Sequence, residues 1–165
     1  MVTGEKLENI VQRKKINKMK ITFFDDSNAI NKNAIGSGVY KFVLKKGENQ
    51  RILYIGKSYS MISRCANHIY ELEKDNSYFG LTPKNWVNKE LEIIVDIYEQ
   101  VDTSQLSSSD RDILLYEKEL EAIKIEKPLA QSETSDRLRR DRVKCVQDYL
   151  NSLNYIWIAH EIKGL

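Results

Sequence analysis

The chain has 165 residues, 41% hydrophobic and 30% charged, the balance of one globular domain able to bury a core. Its apolar runs are too short for a membrane span, and its basic N-terminal stretch lacks the apolar segment of a secretory signal. The net charge is +2, far from the strong basicity of dedicated nucleic-acid binders, and Cys65 and Cys145 have no CxxC spacing. Such cysteine usage fits a reducing cytoplasm and argues against a zinc site or a disulfide framework.

Taken in chain order, Glu5–Lys18 reads as a basic helix with Leu7, Ile10 and Val11 as apolar positions. Lys20–Phe24 reads as a short strand. After a polar loop, Gly36-Ser37-Gly38 introduces a β-prone run over Val39–Leu44, and Arg51–Ile55 is its hairpin partner. The turn between them, Lys45–Gln50, spans several residues. A helix follows over Ser60–Lys74, then a polar loop through Lys84 and a strand over Leu91–Tyr98. Ser109-Asp110 can cap a helix from Arg111 to Ile125, which Pro128 ends. A last long helix over Ser135–Leu153 precedes an apolar tail, Tyr155–Ile162. The expected fold is α+β: a small three-stranded, mainly antiparallel sheet flanked by helices. The expected organisation is a basic extension over 1–34, a core over 35–131, and a C-terminal helical extension packed on it over 132–165.

Basic residues cluster near both ends: Arg13, Lys14, Lys15, Lys18 and Lys20, then Arg137, Arg139, Arg140, Arg142 and Lys144. Such clusters are ordinarily solvated helix faces, but they also suit a phosphate backbone.

Two glycine–tyrosine tripeptides occupy the hairpin strands, Gly38-Val39-Tyr40 and Tyr54-Ile55-Gly56. Each alone is unremarkable, since tyrosines are good strand residues and glycines can relieve crowding beside a neighbouring backbone. Arg64 follows Tyr54 by ten residues and His68 follows Arg64 by four, so both lie on one flank of their helix. Met61, Cys65, Ile69 and Leu72 make its buried stripe, with His68 nearer to it than Arg64. On the next helix, Ile113, Leu115, Tyr116, Leu120, Ala122 and Ile123 form the apolar half. Glu119 falls inside it, between Leu115 and Ile123. A buried carboxylate calls for a cation, which is a metal ion, Arg64 or a lysine, unless Glu119 is an edge position that reaches solvent.

With Lys57-Ser58 after the second tripeptide and Lys127-Pro128 after the second helix, this pattern resembles the GIY-YIG nuclease family over residues 38–131. The Tyr54-to-Arg64 step, the Glu-x-x-x-Ile form of Glu119–Ile123, and Pro128 nine residues after Glu119 all match it. One departure is Gln131, where the family carries an Asn; glutamine keeps the donor and acceptor but is longer by a methylene.

The resemblance implies a metal-dependent endonuclease acting on DNA, of restriction or mobile-element type, with repair or recombination as a further setting. It assigns Glu119 to a single Mg²⁺ or Mn²⁺, Arg64 to the scissile phosphate, and Tyr40 to the role of general base. It assigns Tyr54 to orienting water or phosphate and His68 to tuning Tyr40, with Gly38, Gly56, Lys57 and Gln131 in support. Lys14, Lys15, Arg137, Arg139 and Arg140 are expected to grip double-stranded DNA, and a homodimer would cut both strands. The alternative is a nucleic-acid-binding module that keeps the fold with weak or no catalysis.

Overall fold

The computed structural model of the chain describes residues 19–23 and 29–163. The expected helix over Glu5–Lys18, with Lys14 and Lys15, lies outside the described residues. The elements run β1 (Met19–Ile21), α1 (Lys32–Ile35), β2 (Gly38–Lys46), β3 (Asn49–Ser58), α2 (Met61–Lys74), α3 (Pro83–Val87), β4 (Leu91–Gln100), α4 (Ser108–Glu126) and α5 (Arg142–Lys163).

The class is α+β, but the sheet has four strands in the order β1-β4-β2-β3, not the three expected. β1 runs parallel to β4, pairing Met19 with Ile93 and Ile21 with Val95, while the other pairs are antiparallel. These three residues are the short strand expected at Lys20–Phe24, shifted to Met19–Ile21 and joined to the sheet, which the count of three strands left out. What recruits them is long-range: the Thr22 amide donates to the Val95 carbonyl at 3.0 Å, and Phe23 is buried in the core. The β2–β3 loop also differs from expectation. Lys46 pairs with Asn49, so the loop is only Gly47-Glu48, and Gly47 takes the positive φ (59°) that a two-residue turn needs.

The two faces of the sheet carry different cores. On one, Tyr40, Phe42, Leu44, Tyr54, Ile93 and Val95 pack with α2, the Phe79–Leu81 loop, Trp86 of α3, and Val146 and Leu150 of α5. On the other, Val39 and Ile55 meet Ala122 and Ile123 of α4. This second core is small, so α4 buries only the narrow face of Leu115, Glu119, Ala122 and Ile123. Ile113 (54% exposed) and Tyr116 (51%) stand in solvent although the helical wheel places them on the apolar half. On α2 the buried residues are Met61, Cys65, His68 and Leu72, so His68 belongs to the stripe.

α4 stops where Lys127 adopts a left-handed conformation (φ 48°) immediately before Pro128. The chain then turns along the outer edge of β3, where the Leu129 and Ala130 amides donate to Ile52 and Leu53 carbonyls, each at 3.0 Å. The last helix begins at Arg142, not at Ser135. Residues 132–141 instead fold back on themselves: Ser132 N–H reaches the Arg137 carbonyl (2.8 Å) and Arg139 N–H the Ala130 carbonyl (2.9 Å). Arg137, Arg139 and Arg140 therefore sit on an irregular segment, and the helix continues through the tail to Lys163. No helix among the described residues is long and apolar enough to cross a membrane.

Candidate active site

The β2–β3 register fixes the centre of the site. Tyr40 stands opposite Gly56 and Phe42 opposite Tyr54, so both tyrosines project from one face, with ring centroids 6.4 Å apart. They open onto a cavity of about 320 Å³ that also takes in Lys57 of β3, Arg64 of α2 and Glu119 of α4. Residues from both faces of the sheet thus meet at its edge strand, and five expected site residues share one space.

The glycines make this arrangement possible. A Cβ on Gly56 would overlap the Tyr40 phenol, and one on Gly38 would overlap the Glu99 carbonyl and crowd Met61. Crowding by backbone explains Gly38, as expected. Gly56 is small for a different reason, which is to admit the Tyr40 ring.

His68 does not line the cavity; it sits one layer behind. Its Nε2 is 2.8 Å from Tyr40 Oη and its Nδ1 is 3.1 Å from Tyr78 Oη. Phe42, Tyr54 and Phe79 surround the ring. Burial pushes His68 down to about 4, with Arg64 lowering it further and Asp136 opposing, so the imidazole is neutral near pH 7. Burial pushes the Tyr40 hydroxyl well above the ordinary phenol range, and the Arg64 guanidinium pulls the other way. Tyr54 is raised too, by burial first and then by the carboxylates of Asp136 and Glu119.

Glu119 is 3% exposed. Burial raises its carboxyl, and the hydrogen bond and charge of Lys57 oppose that rise. Lys57 Nζ lies 3.0 Å from Glu119 Oε2 and is itself partly solvated. The cation that the apolar position of Glu119 calls for is therefore Lys57. Among the described residues no three His, Cys, Asp or Glu side chains cluster as a metal cage. The donor chemistry that remains is one buried carboxylate opening on a polar cavity. That set suits a hard cation that keeps most of its water, as magnesium does.

Gln131 is fully buried and does not face the cavity. Its Nε2 donates to the Ile55 carbonyl (2.7 Å) and its Oε1 accepts from the Ile55 N–H (3.0 Å). The side chain thus acts as one more strand residue on the open edge of β3, between Tyr54 and Gly56.

Sequence reasoning missed three polar residues here. Asp136 and Asp112 line the cavity, as does Tyr59, on which the Arg111 guanidinium stacks 3.6 Å from the ring centroid. Asp136 was hidden by the false expectation of a helix from Ser135. Asp112 and Tyr59 had no signal beyond adjacency to known positions. Of the basic residues, Arg139 is held bidentately by Asp141 (2.9 and 3.0 Å), while Arg137 and Arg140 are exposed; none of the three lines the cavity.

No family model, no curated protein and no solved structure matches this chain.

Proposed function

We propose that the chain is a GIY-YIG-type endonuclease that hydrolyses DNA phosphodiesters with one divalent metal ion, of restriction or mobile-element type. The observation that carries this reading is the convergence of Tyr40, Tyr54, Lys57, Arg64 and Glu119 on one cavity. These residues come from four elements and up to 79 positions apart (119 − 40), and they are the residues that the family pattern names.

Hydrolysis needs a base beside the attacking water and cations around the phosphoryl oxygens, where charge builds. Arg64, exposed at the cavity mouth, offers its planar fork to the scissile phosphate, a geometry lysine does not copy. Tyr40 takes the proton of the water, and Tyr54 orients that water or the phosphate. Lys57 balances Glu119 in the free protein and turns to the phosphate when the substrate arrives. Glu119 is the residue that would hold Mg²⁺ or Mn²⁺, which would supply neutralisation of the charge that builds during hydrolysis. Arg137 and Arg140 contact the DNA backbone outside the cavity, Lys14 and Lys15 are further candidates for backbone contacts, and a second copy of the chain serves the opposite strand.

One observation favours a second reading, a binding module without catalysis: Lys57 already engages the Glu119 carboxylate. Incubation of plasmid, phage DNA and RNA with the protein and Mg²⁺, beside Glu119→Ala, separates the two. Metal-dependent cleavage lost in the variant is the expected result, with fixed fragments if cutting is sequence-specific. Binding with no cleavage of any substrate would establish the module instead.

A further inference from the structure

We propose that Tyr78 is the solvent outlet of a proton relay that begins at Tyr40 and crosses the His68 ring. The inference rests on the hydrolytic reading above and adds to it a positioning residue outside the cavity. Three side chains form an unbroken line: Tyr40 Oη to His68 Nε2 at 2.8 Å, then His68 Nδ1 to Tyr78 Oη at 3.1 Å. Tyr40 and His68 are buried, and Tyr78 is half-buried, so the line runs from the cavity wall toward solvent.

The need for an outlet follows from burial. A Tyr40 phenolate is not populated near neutrality, so Tyr40 can accept a proton only by handing on its own. The neutral imidazole is the acceptor within reach. It stays neutral only if its other nitrogen releases a proton at the same time, and Tyr78 is the group placed to receive it.

The step balances. As the water oxygen bonds to phosphorus and the leaving oxygen departs, the water proton passes to Tyr40 Oη. The Tyr40 proton passes to Nε2, the Nδ1 proton to Tyr78 Oη, and the Tyr78 proton to bulk water. No ring carries net charge at the end. Reverse passage of one proton from solvent restores the starting tautomer and delivers a proton to the cavity, where the leaving alkoxide takes it.

The loop is built to hold Tyr78 in place. Arg142, the first residue of α5, donates through Nε to the Tyr78 carbonyl (2.7 Å) and to Ser77 (3.3 Å). Gly80, at φ 87°, lies so close to the Arg142 carbonyl and Val146 that any Cβ would collide. Trp86 Nε1 fixes Asn76 at 3.0 Å. The charged and titratable groups around the relay are Tyr40 and Tyr54 from the sheet, Arg64, Cys65 and Glu71 from α2, Asp136 from the 132–141 segment, and Arg142 from α5.

The test uses the full chain and Tyr78→Phe, which removes one hydroxyl and keeps the ring. General acid–base catalysis is worth roughly 10²–10⁴-fold, and loss of the outlet is expected to lower kcat about tenfold with KM for DNA unchanged. The pH–rate profile should shift with it, and the proton inventory in mixed H₂O/D₂O should change from curved to linear. In the wild type, ¹⁵N NMR of the His68 ring should show the Nδ1–H tautomer; His160 is the other histidine, and His160→Gln assigns the signals. An unchanged kcat and pH profile in Tyr78→Phe, or a linear inventory in the wild type, overturns the relay and leaves the nuclease reading standing. A wild type that cleaves no nucleic acid overturns both.

Discussion

Gly56 stands directly across the β2–β3 ladder from Tyr40, and the Tyr40 phenol fills the space where a Gly56 side chain would be. Tyr40 is 1% exposed and is packed by Phe42, Tyr54 and His68. Gly56→Ala is therefore expected to displace Tyr40 and break its contact with His68. Overpacking a core of this kind costs about 1–3 kcal/mol, to be read by urea denaturation, and cleavage should fall far more than stability does. Wild-type activity in Gly56→Ala would show that the Tyr40 position does not matter.

Gln131 joins the edge strand to the site through both polar atoms of its amide. Gln131→Leu fills the same volume but leaves the Ile55 N–H and C=O buried and unpaired, at about 1–3 kcal/mol for each group. Chemical denaturation should report that loss, and hydrogen exchange at the Ile55 amide should accelerate more than at Lys41 on the partner strand. Gln131→Asn, one methylene short, should fall between the two. A Gln131→Leu protein as stable as the wild type would mean that the clip contributes nothing.

The clip also shows what was legible in the sequence and what was not. Glu119 could be found because a carboxylate among Leu115, Ala122 and Ile123 violates the helical pattern, and the violation is local. Tyr40, Tyr54, Arg64 and His68 could be picked out because their spacing resembles the GIY-YIG pattern, and a hairpin followed by a helix converts that spacing into position. The partner of Glu119 could not be chosen between a metal, Arg64 and a lysine; Lys57 shares its face of the sheet only once the β3 register is known. Residues 135–141 carry a helix-like sequence, yet pairing of residues 130–132 with 137–139 overrides local propensity. That one tertiary contact removed a turn and more from the expected helix and brought Asp136 to the cavity. β1 is the counterpart: a short strand was legible at Lys20–Phe24, but its place in the sheet, parallel to Ile93–Val95, is a long-range contact that local sequence does not carry.

Glu119 should be a residue that the fold tolerates at a cost. Its carboxyl is raised by burial against the opposing pull of Lys57, so the ionised form present at high pH is the disfavoured one, and stability from this group diminishes as pH rises. Glu119→Gln removes the buried charge and leaves Lys57 partly solvated. The expected result is a Tm equal to or above that of the wild type at neutral pH, together with loss of metal-dependent cleavage. A marked drop in Tm would instead make the Lys57–Glu119 pair a structural element.

His68 sets an acid limit. Its folded value is about 4 against an ordinary 6.5, so between those pH values the unfolded chain binds a proton that the folded protein refuses. Stability is unaffected above pH 6.5, falls as pH drops from 6.5 toward 4, and levels off below. For a shift of this size the loss is about 3 kcal/mol. The difference in unfolding free energy between wild type and His68→Gln, measured from pH 7 to 4, should trace that curve; His160 is present in both and cancels. A flat difference would mean that His68 titrates normally.

Arg64 tests whether the cavity does chemistry or only binds. Its guanidinium is exposed on α2 and reaches the cavity, so Arg64→Ala should leave Tm nearly unchanged. Removing one preorganised group that stabilises transition-state charge costs roughly 10²–10³ in kcat. DNA affinity should change little by comparison if, as proposed, basic residues such as Arg137 and Arg140 carry the backbone contacts. Arg64→Lys should restore little, since an ammonium keeps the charge but loses the planar fork. The same variant has a readout that needs no substrate. Arg64 lowers the His68 value, so in Arg64→Ala the histidine should titrate closer to 6.5 by NMR. Equal losses of DNA binding and cleavage would make Arg64 a docking residue, and an unmoved His68 would place its charge too far from the ring to act on the relay.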